Sequence, residues 1–164
     1  FNPTNLAKDS LDSGSKHNWN TIGFDYVGAP QHLFTYNGSF RYGGYYAGGH
    51  LLTAAGDIGY RFQPYVNITL SASYNQLRLP QPWGKQNFLL VGPRIDITFT
   101  NTLFFTTYVQ YNEQQDNLNI NARFQWRYKP ASDLFLVYTD NYYPGPFAVK
   151  TRAFVLKFNY WWNL

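Results

Sequence analysis

Asn117-Leu118-Asn119-Ile120-Asn121-Ala122-Arg123-Phe124-Gln125-Trp126-Arg127-Tyr128-Lys129 alternates without a break. Leu118, Ile120, Ala122, Phe124, Trp126 and Tyr128 hold one parity, and Asn117, Asn119, Asn121, Arg123, Gln125, Arg127 and Lys129 the other. Successive side chains leave a strand on opposite sides, so this stretch is a β-strand with two chemically distinct faces. Tyr65–Arg78 repeats the split, setting Val66, Ile68, Leu70, Ala72 and Tyr74 against Asn67, Thr69, Ser71, Ser73 and Asn75. The same period predicts strands at about 32–46, 49–62, 86–99, 102–112, 133–140 and 151–164, with a weaker one at 18–28. Gly, Pro, Asn and Ser collect between them, as in Pro80-Gln81-Pro82-Trp83-Gly84 and Pro144-Gly145-Pro146, where turns belong. The reading is an all-β, antiparallel up-and-down meander. Residues 1–17 are polar and aperiodic, and 18–164 form one domain.

A meander of this kind is either a soluble sandwich or a membrane barrel, and composition separates them. Lipid-spanning tilted strands need about 9–11 residues, whereas strands of soluble sheets cluster near five or six, and most of those predicted here exceed ten. In the 164 residues, 15 Tyr, 14 Phe and 5 Trp stand against only 13% charged residues. The polar parity is Asn, Ser, Thr, Gly and Tyr, with Glu only at position 113, where a water-exposed sheet would carry many Lys and Glu. Tyr45, Tyr46, Tyr60, Phe62, Tyr65, Tyr111, Tyr128, Tyr142, Tyr143, Tyr160 and Trp162 gather at strand ends, the place of interfacial girdles. The expectation is a transmembrane β-barrel. It has eight strands if it closes alone, or supplies the last eight or nine of a larger barrel.

Other classes fall away. No apolar run approaches the length of a membrane helix. The absence of Cys removes disulfides, thiol nucleophiles and thiolate metal cages. A net charge of +4 from dispersed basic residues gives no footprint for nucleic acid. No cofactor or metal site is expected. The chain starts at Phe1 and holds no Met, so a processed or truncated product is expected, its targeting signal outside the sequence.

Loop lengths orient the barrel. Connections at 141–150, 113–116, 79–85 and 47–48 lie at one end, and those at 130–132, 100–101, 63–64 and 29–31 at the other. The first set is longer in three cases of four, so it faces outward. At the C-terminus, Phe158, Tyr160, Trp162 and Leu164 share a parity and end on an apolar residue. This resembles the signal that the barrel-assembly machinery recognises in bacterial outer-membrane proteins, with Asn159 where glycine is common.

Further stretches carry a resemblance. Tyr108-Val109-Gln110-Tyr111-Asn112, Asp116 to Trp126 and Tyr128 to Tyr138, with the Gly43–Gly49 corner and Arg78-Leu79-Pro80, resemble the C-terminal barrel of a family of large outer-membrane proteins of unknown function. Those proteins place a carbohydrate-binding family-nine-like domain ahead of the barrel. The resemblance spans about residues 36–164 and implies the tail of a larger barrel. It carries over no catalytic residue and no sugar site.

Candidate functional residues follow from parity. Asp25, Arg41, Asp57, Arg61, Arg94, Asp96, Arg123, Arg127 and Lys157 lie on the inward parity, lining either a cationic pore or a filled interior of paired charges. Arg78, Lys85, Lys150 and Arg152 map to the outer rim as candidates for phosphate contacts with lipopolysaccharide. Trp83, Tyr142 and Tyr143 are outer-loop aromatics, suited to interfacial anchoring or to stacking on a sugar. A rim hydrolase would need a histidine near an acid. His17, His32 and His50 sit in no such motif, although His50 could approach Glu113, Asp116 or Asp140. Asn67-Ile68-Thr69 is a glycosylation pattern inside a strand and is set aside. The functional expectation is an outer-membrane structural or transport module without catalysis. Its partners are lipid, lipopolysaccharide, the assembly machinery and other outer-membrane subunits. The alternatives are a surface protein that binds a partner or glycan through its outer loops, and a hydrolase.

Overall fold

The computed structural model describes residues 14–162. Residues 1–13 of the polar segment and Leu164 of the terminal signal lie outside the described residues. Nine strands follow one another: β1 (Thr21–Val27), β2 (Phe34–Tyr45), β3 (Gly49–Phe62), β4 (Val66–Arg78), β5 (Lys85–Thr100), β6 (Leu103–Asn112), β7 (Asn117–Lys129), β8 (Ser132–Tyr143) and β9 (Ala148–Phe158). They form one antiparallel sheet in chain order. The expected all-β meander is therefore the observed fold.

The weak strand expected at 18–28 is β1. It pairs with β2 along its whole length, from Thr21 opposite Gly43 to Val27 opposite Asn37. β1 thus occupies the edge that β2 would need to close an eight-stranded ring onto β9. Among the described residues the ladder runs from β1 to β9, with no pairing between those two strands.

The register has a consistent slant. Val66 pairs with Ile97, three residues short of the end of β5 at Thr100. Leu103 pairs with Trp126, three residues short of the end of β7 at Lys129. Each hairpin is displaced from the one before it in the same sense. Three residues cover about 10 Å along a strand and two strand spacings about 9.6 Å, which gives a slant of about 45°. Strands in barrel walls tilt by this amount.

The limits of β8 and β9 differ most from expectation. β8 runs on to Tyr143 and β9 starts at Ala148, so their connection is 144–147 instead of 141–150. Tyr142 and Tyr143 are strand residues, not loop residues. Asn141 pairs with Thr151 but Tyr142 pairs with Val149, leaving Lys150 as an extra residue. That bulge breaks the alternation by which the strand would have been read. β9 ends at Phe158 instead of 164, yet its tail keeps to β8. Asn159 and Asp133 exchange backbone hydrogen bonds of 2.9 and 3.2 Å, and the Trp161 N–H donates to Ser132 Oγ at 3.0 Å. With these limits the connections at the expected outer end are 46–48, 79–84, 113–116 and 144–147. They remain longer than those at the other end in three cases of four.

No second layer covers the sheet. Leu77 and Leu79 are the only buried apolar side chains among the described residues. Ile58, Tyr60, Phe62, Leu70, Phe154, Leu156 and Phe158 are all exposed, and every one lies on the same face. In water, so large an uncovered apolar surface would be a strong drive to associate.

Candidate functional site

The register gives each face a vertical order, clearest on β3, β4 and β5. From the short-turn end, the cross-strand rows on the apolar face are Phe62–Val66–Ile97, Tyr60–Ile68–Ile95, Ile58–Leu70–Pro93, Gly56–Ala72–Val91 and Ala54–Tyr74–Leu89. All fifteen residues are apolar, aromatic or glycine. The next row is Leu52–Gln76–Asn87 and the last is His50–Arg78–Lys85. Each row adds about 6.7 Å along the strand, or about 4.7 Å of height at a 45° slant. Five rows make a band about 24 Å tall, close to the apolar band of outer-membrane barrels, about 25 Å.

The opposite face carries most of the polar and charged side chains, although Leu51, Leu77, Phe88, Leu90, Phe104, Phe135, Val137 and Val155 also lie on it, and all nine residues expected to line a lumen fall on it by register. Three ion pairs form there. Arg41 donates to both oxygens of Asp25 at 2.9 and 3.1 Å, Arg94 to both oxygens of Asp96 at 2.9 Å, and Arg127 lies 3.6 Å from Asp133. Thr106 Oγ1 also donates to Asp96 at 2.9 Å, and Gln125 Nε2 to Asp133 at 2.9 Å. Asp57, Arg61, Arg123 and Lys157 join no ion pair among the described residues.

Neutral side chains stitch the strands between these charges. Asn119 donates to Asn141 at 2.8 Å, Asn121 to Thr139 at 2.8 Å, and Asn141 to Thr151 at 2.9 Å. A hollow of about 720 Å³ opens among Asn67, Arg94, Asp96, Thr106, Tyr108 and Arg123. Gly92 matters here, because a Cβ at that position would meet Tyr108 Oη at 2.8 Å. Its lack of a side chain lets the phenol lie across the sheet.

The four rim cations divide into two kinds. Lys150 Nζ donates to the carbonyls of Gln115 and Asp116 at 3.2 and 2.6 Å and sits over the Tyr143 ring, tying the start of β9 to the 113–116 connection. Arg152 Nε donates to Asp140 at 2.8 Å. Arg78 and Lys85 are exposed, pair directly across β4 and β5, and meet no carboxylate among the described residues. Trp83 stays in the 79–84 connection, where its N–H donates to the Pro80 carbonyl.

Sequence reading missed the setting of Asp140. It is fully buried on the apolar face, opposite Ile120 and Arg152. Its Oδ2 accepts from Tyr138 Oη, Tyr142 Oη and Arg152 Nε, while Oδ1 has no partner. The signal was present as two opposite charges on an otherwise apolar parity. The bulge hid it by placing Arg152 at the start of a strand that in fact begins four residues earlier.

The histidines are dispersed. His17 reaches Ser15 at 3.1 Å, His32 lies in the 28–33 connection, and His50 stacks on Tyr42 with ring centroids 5.9 Å apart. Glu113 accepts from the Leu89 N–H at 2.9 Å and Asp140 holds Arg152, so neither acid is paired with His50. At the C-terminal end Phe158 stacks on Tyr128 at 5.4 Å and Lys129 lies over Tyr160.

No family model, curated protein or solved structure matches this chain. No helix of the described residues is long and apolar enough to cross a membrane.

Proposed function

We propose that this chain is a wall segment of a bacterial outer-membrane β-barrel, a transport module without catalysis. The observation that carries the reading is the uncovered apolar face. Its band matches lipid in height, stops at an amide row, and ends in cations. On this reading further strands complete the barrel at the free edges of β1 and β9, as in the C-terminal barrel of the larger outer-membrane proteins the sequence resembles. Lipid and lipopolysaccharide meet the apolar face, and the Phe158–Tyr160–Trp162 parity serves the assembly machinery. Other outer-membrane subunits are the further partners.

The polar face then borders a water-filled lumen. Once its ion pairs are set aside, Arg61, Arg123 and Lys157 remain against Asp57 among the described residues, an excess of positive charge that favours anions. Reconstitution in planar bilayers of the completed barrel that contains this chain tests this. Stepwise conductance with a zero-current potential of anion-selective sign is expected, and Arg123→Glu should move that potential toward cation selectivity. Silence under all conditions would favour a filled scaffold over a pore.

A further inference from the structure

Arg78 and Lys85 are directly opposed on adjacent strands, an arrangement in which like charges repel. His50 lies beside Arg78 in the same row, its ring held against Tyr42. The flanking connections, 46–48 and 79–84, contain no acidic residue, and none of the four ion pairs of the described residues involves this row. The row therefore offers a stretch of positive charge that lacks an anion. Below it, past Gln76 and Asn87, an apolar groove of about 560 Å³ opens on the same face, lined by Gly38, Gly56 and Ala72 between the larger Tyr36, Phe40 and Tyr74. From the row at Arg78 to the upper end of the groove at Tyr74 is four residues, about 13 Å along the strand.

We infer that His50, Arg78 and Lys85, with the groove beneath them, form a site for one phosphate-monoester lipid of the membrane. The phosphate lies between Arg78 and Lys85, where charge-assisted hydrogen bonds from both remove their mutual repulsion. The amides of Gln76 and Asn87 meet the polar linkage below it, and an acyl chain follows the small residues down the groove. The inference rests on the proposed contact of the apolar face with lipid. It narrows the rim contacts from four cations to two, since Lys150 and Arg152 are already engaged within the protein.

The test uses the full chain in maltoside detergent, titrated with phosphatidic acid or with diacylglycerol of the same chains, with retained lipid counted by native mass spectrometry. Phosphatidic acid should be retained in a one-to-one complex and diacylglycerol about tenfold less. The double variant Arg78→Gln/Lys85→Gln should lower phosphatidic acid retention about tenfold, the size expected for the loss of two solvent-exposed charge pairs. Lys150→Gln should leave it unchanged. Gly38→Leu, whose Cβ would meet nothing nearer than the Ala55 carbonyl at 3.7 Å, should fill the groove and reduce retention of both lipids. Retention by the double variant at the unsubstituted level would overturn the site, as would equal retention of the two lipids. Displacement of the lipid by inorganic phosphate would overturn the assignment to a lipid in favour of a free anion. Incorporation into vesicles, measured separately, tells this failure from failure of the membrane reading: a chain that enters bilayers but shows no phosphate preference loses only the site.

Discussion

Arginine at Leu70 is expected to cost about 2–4 kcal/mol of folding free energy in a bilayer, and arginine at neighbouring Ser71 less than about 1 kcal/mol. Leu70 is 44% exposed and lies in the third of the five apolar rows, which on the proposed membrane reading puts its side chain in the middle of the acyl region. Ser71 faces the opposite way, into the polar hollows. The penalty should also fall with height. Arginine at Gln76, in the amide row, reaches head groups and water and should be nearly neutral. Denaturant titration of the chain folded in phospholipid vesicles measures all three. A penalty at Ser71 equal to that at Leu70, or one at Gln76 as large, would show that depth in a bilayer does not govern this face.

Asp140→Leu is expected to give the largest loss of stability among the polar substitutions. Three donors converge on one oxygen of a carboxylate that is 0% exposed. Its removal leaves the Arg152 guanidinium and two phenols without their acceptor on an apolar face, and an uncompensated charge there costs more than the intact pair contributes. The double variant Asp140→Leu/Arg152→Leu should therefore recover much of the loss, because no charge is left stranded. Asp25→Ala, at a half-exposed pair on the polar face, should cost little. Thermal unfolding in detergent orders the four proteins. A double variant no more stable than Asp140→Leu would mean that the carboxylate acts by shape, not by pairing.

The faces of the sheet were legible because alternation is long and chemically sharp. In 66–74 and 117–129 every side chain declares its side. The sequence also showed which end carries the longer connections, since Pro and Gly mark them. Strand limits failed where a bulge shifts parity, so β9 appeared to begin at Thr151 and Tyr142 and Tyr143 appeared to be loop residues. Partnerships failed for a more general reason. In the sequence Arg78, Lys85, Lys150 and Arg152 all map to the outer rim, and nothing in the pattern distinguishes them. Register separates them, because only the ladder reveals that Lys150 reaches two carbonyls across a hairpin, that Arg152 meets a buried acid, and that Arg78 faces another cation. The place of β1 was likewise a matter of pairing. Its short, weak pattern did not say whether it joined the sheet.

The chain contains no cysteine, so single cysteines placed from 67 to 74 and labelled with a fluorophore report their surroundings directly. In vesicles whose lipids carry bromine in the acyl chains, labels at 68, 70, 72 and 74 should be quenched and those at 67, 69, 71 and 73 should not. Uniform protection of both sets, from a polypeptide that stays dispersed and monomeric without detergent, would contradict a face built to meet lipid.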